Sequence, residues 1–379
     1  MKSNPVLSKV KEAIKIAKDF GADSVLAIGG GSVLDSAKAV AAGACYDGDV
    51  WDFFTGKSPS RALKIFDVIT LAATGSEMNS GAVVTREETR QKYAIDGRVL
   101  YPKVSIIDSE LQASVSREYL VYSASDIIAH SIEGYFTASV QPGLISSYVE
   151  ANIKAVIKTT EILLANPDDY DARAEFAWAA TMALNGLTYV GTGGYSYPNH
   201  MIEHAMSAVT DCAHGAGLSV VMPAWMKWYK DRNLAQFERF AREIFGLKGA
   251  DEGIAAVLPT MQAQKSGQII NISSVAGLKV SSGIGTVYSA TKFAVKTISE
   301  GLRAESKGDV RVCTIYPGAI ATELTQHSSD EAAKAGIQAF YAANEITPDA
   351  VARAIVFAVS QPADVDINDI TIRPSRQEF

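Results

Sequence analysis

Asp126 and His130 stand four residues apart in a segment whose pattern predicts a helix, so their side chains share one face, a turn apart. His200 and His214 stand fourteen apart. They bracket a predicted helix and a glycine-rich turn, Ala213-His214-Gly215-Ala216-Gly217. The chain has five histidines, and His130, His200, His204 and His214 all fall within this one stretch. Three imidazoles and one carboxylate make a shell for a borderline divalent cation, Fe²⁺ or Zn²⁺. Such an ion acts as a Lewis acid on an alcohol or carbonyl oxygen while hydride leaves or arrives. The same spacing also fits helix-surface histidines or hydrogen-bonded core histidines.

Two glycine-bearing turns could hold an anion. Gly29-Gly30-Gly31-Ser32 follows a predicted strand and opens a predicted helix, where bare backbone and free amides can approach a pyrophosphate. Thr74, Gly75 and Ser76 close a second strand, at the end where ligands of open sheets collect. Lys38 could add charge there, or be a solvated helix lysine. Lys92 and Asp108 fit turn or strand-end roles equally well. A three-glycine run short of a full dinucleotide fingerprint also fits a tight structural turn. Late in the chain, Ser274 ends a strand, and Tyr288 and Lys292 follow, four apart at a predicted helix start. A lysine ammonium beside a tyrosine favours the phenolate, an acid/base usable near neutral pH, and a serine could hold the substrate oxygen. Spacing alone fits a solvent-facing Tyr–Lys pair just as well.

The elements that must carry these groups change along the chain. Residues 6–20 and 33–42 read as helices, and 24–28, 64–71 and 103–107 as apolar strands. That alternation predicts a parallel sheet with helices on its faces. From 116 to about 246 the strand signals fade. Helices are predicted over 123–136, 146–164, 168–187, 198–208 and 234–245. After Gly249 the strand–helix rhythm returns, with strands at 268–273, 310–315 and 367–372 and helices at 287–304, 329–343 and 348–360. The fold class expected is therefore α/β: a truncated parallel-sheet nucleotide-binding domain (1–115), an all-helical metal-binding domain (116–249), and a partial Rossmann-like α/β segment (250–379).

Composition narrows the function classes. Apolar residues make up 47% and charged residues 20%, which fits a folded globular protein. A net charge of −7 with no basic block argues against nucleic acid. Cys45, Cys212 and Cys313 are far apart and odd in number, which points to a reducing cytoplasmic setting. No run spans a membrane, and the opening residues lead straight into an amphipathic helix without a signal-peptide stretch.

The segment from about Ser3 to Gly249 closely resembles the iron-containing (group III) alcohol dehydrogenases, in particular their butanol-dehydrogenase-like branch. The matching stretches are residues 29–38 (Gly29 to Lys38, including Asp35), 73–79 (Ala73 to Asn79), 126–133 (Asp126 to Glu133) and the run from His200 to His214. The resemblance implies that Asp126, His130, His200 and His214 ligate the metal and that His204 lies near the nicotinamide, where it could relay a proton. It assigns Gly29, Gly30, Gly31, Ser32, Asp35, Lys38, Thr74, Gly75 and Ser76 to NAD or NADP, with a small primary alcohol or aldehyde as substrate. Family strands preceding Ser3, which include the residues choosing between NAD and NADP, and a further helical part after Gly249 have no counterpart.

From Gly253 onward the chain resembles instead the C-terminal half of a short-chain dehydrogenase/reductase, through 271–277, Tyr288 with Lys292, and 316–322. That resemblance makes Ser274, Tyr288 and Lys292 catalytic and lays Pro317, Gly318 and Thr322 along the nicotinamide, without that family's own glycine-rich cradle. Three outcomes follow: a metal-dependent alcohol dehydrogenase or aldehyde reductase, a metal-free carbonyl reductase, or a non-catalytic chimera with residual metal or nucleotide binding. Incomplete sheets expose strand edges and apolar faces, which favours a homo-oligomer.

Overall fold

Three short strands near the start of the chain, β1 (Ser24–Gly30), β2 (Lys64–Leu71) and β5 (Val104–Ile107), pair in parallel in the order β1-β2-β5. The computed structural model describes residues 4–256, 268–280, 285–322, 331–362 and 364–377, and the chain divides into two compact units, Met1–Ala256 and Val257–Phe379. Helix α2 (Gly31–Ala44) covers one face of the first sheet, packing Leu34 and Ala37 on Ala27 and Ile69. Helix α1 (Leu7–Phe20) lies against α2. The other face carries in-register rows that begin and end on exposed side chains, Leu26 with Val104 and Ile28 with Ile106. Parallel sheets are normally covered on both faces, so these rows are an unusual expanse of apolar surface.

Between β2 and β5 comes an antiparallel hairpin, β3 (Gly81–Arg86) with β4 (Gln91–Asp96). Its sequence hides it, because Arg86, Glu87, Glu88, Arg90 and Lys92 read as a charged loop. Ala82, Val84 and Ile95 on one face join Val10, Trp51 and Phe53 in one apolar cluster, while Thr85 and Lys92 are buried on the other.

Seven helices follow among the described residues: α3 (Arg117–Thr137), α4 (Gly143–Ala165), α5 (Tyr170–Leu184), α6 (Pro198–Thr210), α7 (His214–Tyr229), α8 (Leu234–Phe245) and α9 (Ala250–Ala255). Ser116 caps α3 by accepting from the Tyr119 amide (3.3 Å), and Asp169 caps α5 by accepting from Ala172 (2.9 Å). Helix α3 is buried nearly all round. Phe136 stacks on Phe237 at 3.8 Å between centroids, within a cluster that includes Ile153, Met222, Trp225 and Phe240. Leu120, Ala124 and Ile127 pack on the Ala-rich α5.

Helix α7 corrects one expectation. The glycines at 215 and 217 do not make a turn; they sit in the first turns of a helix that His214 opens. A Cβ on Gly215 would lie 2.0 Å from the Tyr122 carbonyl oxygen, and one on Gly217 would lie 2.8 Å from Glu203 Cγ. Glycine is required here by close approach of α7 to α3 and α6, not by backbone conformation.

The second unit contains β6 (Gln268–Ile272), α10 (Gly285–Ser306), β7 (Arg311–Pro317), α11 (Glu331–Asn344), α12 (Pro348–Val359) and β8 (Asp369–Ile372). Its strands are parallel in the order β6-β7-β8, with β7 central and almost wholly buried. Residues 329 and 330 of the expected helix lie outside the described residues. The expected sequence of parallel sheet, helical region and second parallel sheet is thus what the chain adopts. Among the described residues no helix is long and apolar enough to cross a membrane.

The close approach at Gly215 predicts the cost of filling it. Gly215→Ala should destabilise the fold by about 1–3 kcal/mol, the usual range for overpacking a core. Thermal unfolding followed by circular dichroism would read it, and an unchanged midpoint would show that α7 can stand off from α3.

Candidate metal and nucleotide site

Helix α3 places Asp126 and His130 one turn apart, α6 brings in His200, and α7 starts on His214. All three imidazoles converge on one carboxylate oxygen. Asp126 Oδ1 lies 3.4 Å from His130 Nδ1, 3.5 Å from His200 Nε2 and 3.6 Å from His214 Nε2. A tetrahedron with metal–ligand bonds of about 2.1 Å has edges of about 3.4 Å, so Asp126, His130 and His200 are spaced as atoms that could share one ion, while His214, grouped with Glu203 and His204, reaches the same Asp126 oxygen at 3.6 Å. Asp126 Oδ1, His130 Nδ1 and His200 Nε2 are also buried without any hydrogen-bond partner. Buried polar atoms left unpaired are costly, and a divalent cation would satisfy all of them at once. The residues present therefore fit the group.

Two carboxylates hold the far sides of the imidazoles. Glu133 Oε2 meets His200 Nδ1, while Glu133 Oε1 accepts from the backbone amides of Asn199 and His200 at the start of α6. Glu203 Oε2 meets His214 Nδ1. Such partners fix the tautomer and direction of a ligating histidine. Neither glutamate was singled out from the sequence. The available signal was Glu133 as the one charged residue in the apolar run from Ile127 to Phe136, which demands a partner wherever it is buried.

The electrostatics follow from this crowding. Burial pushes the Asp126 carboxyl up, but His130, His214 and His200 outweigh it and hold it well below the usual carboxylate range. Burial also opposes a charge on His200, yet Glu133 and Asp126 raise its pKa to about 10. The site thus draws positive charge onto an imidazole lying between two carboxylates, a charge that a dication would supply instead. Burial drives His130 down to about 3, leaving it neutral. His204 stands beside this group, with its ring centroid 5.4 Å from that of His214 and 6.2 Å from that of His200. Burial, with Lys92 nearby, depresses its pKa far below the ordinary histidine range.

On the nucleotide side the two glycine turns lie against each other. A Cβ on Gly31 would meet Thr74 Oγ1 at 2.5 Å. Gly30 caps α2, so the helix amides begin at this turn, and Gly75 adopts a left-handed φ of 61°. Three residues expected to face a cofactor are engaged elsewhere. Asp35 accepts from Ser76 Oγ (2.7 Å) and from the Val83 amide (2.8 Å). Lys38, fully buried, donates to Asn79 O (2.9 Å), Asn79 Oδ1 (3.0 Å) and Gly81 O (2.8 Å). Asp35, Lys38 and Ser76 thus fasten the turns together through their side chains.

The second unit gathers its own set. Ser274 caps a short 3-10 turn, accepting from the Ala276 amide (3.2 Å). Neighbouring Ser273 donates to the Lys292 carbonyl (2.8 Å), which lays this loop on α10. Lys292 Nζ lies 5.5 Å from the centroid of the exposed Tyr288 ring, and burial lowers the lysine's pKa. Gly318 is backed by Arg373 and Gln377, and Gln377 Oε1 accepts from the Ala319 amide (2.9 Å). Pro317 ends β7 on that turn, and Thr322 follows at the surface.

Three family models match the chain, two of them overlapping over residues 207–265. Residues 1–109 match the family model described as iron-containing alcohol dehydrogenase, and 120–265 match the Fe-containing alcohol dehydrogenase family, C-terminal. Residues 207–352 match that described as short chain dehydrogenase. The chain is 50% identical to the crystal structure of NADH-dependent butanol dehydrogenase A from Thermotoga maritima. That match has a TM-score of 0.67 and covers 70% of this chain and 67% of that one. It is 40% identical over 256 residues to a probable NADH-dependent butanol dehydrogenase of Bacillus subtilis, spanning 66% of each. The chain therefore spans just under two thirds of that curated relative's length. An uncharacterized oxidoreductase of Listeria monocytogenes is 48% identical over 136 residues, 35% of this chain and 54% of the relative.

If the four ligand atoms share an ion, the purified chain should retain one divalent cation per chain by elemental analysis. Asp126→Asn should weaken its binding by more than about 100-fold, the upper end of what changes behind a ligand cost. Equal metal content in both proteins would remove the case for this centre.

Proposed function

The chain belongs to the iron-containing alcohol dehydrogenase family, and from that membership we propose that it is a metal-dependent alcohol dehydrogenase or aldehyde reductase. The observation that carries the reading is the convergence of three imidazole nitrogens on Asp126 Oδ1, with buried ligand atoms left unpaired. Asp126, His130, His200 and His214 would hold Fe²⁺ or Zn²⁺. When bound, the ion supplies a Lewis acid for an alcohol or carbonyl oxygen, and NAD(P) supplies the hydride carrier. The backbone of Gly29 to Ser32 and of Thr74–Gly75 offers amides to the pyrophosphate at the start of α2. His204, its ring centroid 5.4 Å from that of His214, would pass the hydroxyl proton onward rather than hold it, since burial disfavours its charged form. Glu133 and Glu203 keep His200 and His214 in one orientation. The relatives' names support NADH as the carrier and a primary alcohol such as butanol, or its aldehyde, as the substrate.

On this reading residues 1–115 form a partial dinucleotide-binding domain, 116–249 the metal-binding domain and 250–379 a short-chain-dehydrogenase-like segment joined to them. A second reading has one observation in its favour: Lys292 Nζ lies within reach of the Tyr288 ring, with the Ser274 loop packed on the same helix. There Ser274 would hold a carbonyl oxygen and Tyr288 would protonate it without a metal. A protein that binds metal yet turns nothing over would instead mark a chimera with residual binding only.

Nicotinamide absorbance at 340 nm separates these readings. With NAD⁺ and a short primary alcohol, rigorous chelation should abolish turnover, and Fe²⁺ or Zn²⁺ should restore it. Tyr288→Phe should leave the rate unchanged. Activity that survives chelation but falls with Tyr288→Phe would reverse the assignment.

A further inference from the structure

Lys92 points from β4 into the interior, where its side chain is almost completely buried. Its Nζ donates to Ser207 Oγ (2.9 Å) and Asn4 Oδ1 (3.2 Å) and pairs with Glu203 Oε2 at 3.5 Å, 3.4 Å from His214 Nδ1. The Glu203 oxygen that receives Lys92 is the one that meets His214. Asn4 Nδ2 donates to Asp211 Oδ1 (3.1 Å) and to the Cys212 carbonyl (3.3 Å), within the short connection that delivers His214 from α6. Asp211 itself adopts a left-handed φ of 56°, uncommon for a residue with a side chain.

His214 is the weakest-held of the four candidate ligands. It is 21% exposed where the other three are 3–8% exposed, and it is the first residue of its helix. We propose that Lys92 is a positioning residue for His214: it fixes the Glu203 carboxylate that orients the imidazole. The hairpin on the nucleotide side thereby sets the grip of the fourth ligand on a divalent cation. The proposal rests on the metal reading above. Its physical basis is that a buried carboxylate needs a buried counter-charge. Removing Lys92 takes away the lysine counter-charge and leaves Glu203 tied to His214 alone among the described residues.

Cobalt(II), whose visible bands report ligand geometry, is the probe. Its affinity is measured by chelator competition for the wild type, Lys92→Met, Lys92→Arg, Glu203→Gln and the Lys92→Met/Glu203→Gln pair, with the metal-free thermal midpoint of each. Lys92→Met should weaken cobalt binding about 10–100-fold and alter the bands, as changes behind a ligand do, and Lys92→Arg should restore most of both. In the Glu203→Gln background Lys92→Met should cost little more, because the two act as one unit. Wild-type affinity and bands in Lys92→Met, or a full additional loss in the Glu203→Gln background, would overturn the proposal. Should Lys92→Met not fold, the Glu203→Gln protein and the charge-neutral pair make the same comparison. A wild type that takes up no cobalt would overturn the metal reading, and this proposal with it. An unmoved Lys92→Met overturns this one alone.

Discussion

A carboxylate buried at the centre of a helical region is a constraint that the neighbouring helices must answer. Asp126 is almost fully enclosed on α3, where an isolated negative charge would be prohibitive. Three imidazoles come within 3.6 Å of one of its oxygens, one from its own helix and two from α6 and α7. Those helices must therefore approach α3 more closely than ordinary side chains permit. Gly215 against the Tyr122 carbonyl is where α7 makes that approach, and Gly217 against Glu203 is where α7 closes on α6. The apolar cluster around Phe136, Trp225 and Phe237 then locks the helices at that distance.

The same economy governs the nucleotide side, in the opposite sense. Side chains that look available in the sequence are engaged inside the fold: Asp35 with Ser76 and Val83, Lys38 with Asn79 and Gly81. They tie the two glycine turns into one unit at the start of α2. A backbone cradle for an anion needs rigidity more than added charge, since its amides are useful only when they all point one way. The hairpin β3–β4 contributes to both sides, through Val83 and Gly81 on one and Lys92 on the other.

The second unit is a different case. Its serine, tyrosine and lysine lie on one loop and one helix. Its sheet of three parallel strands has a core of its own around Cys313, Ile315 and Ala358. Acid/base residues can be assembled by local structure alone. Hydride transfer also demands a nucleotide placed against them, because reaction needs both partners at near-contact geometry.

Much of the fold was legible in the sequence because helix and strand periods are local. Strand 64–71 and helix 234–245 have the bounds their patterns predict, whereas the four candidate ligands rest on a family resemblance, because their spacing fits ordinary helix histidines as well. Hairpin β3–β4 was hidden because its turn carries Glu87, Glu88 and Arg90 and one of its buried residues is the charged Lys92, and α7 because its glycines look like a turn. What tertiary structure alone decided was the partner of each polar group. Lys38 meets Asn79 across 41 residues, His200 meets Glu133 across 67, and Lys92 meets Glu203 across 111. No local pattern encodes such pairs. A buried charge selects whatever counter-group the packing brings within reach, so the chain specifies which atoms could ligate an ion and only the packed helices specify which of them are brought together.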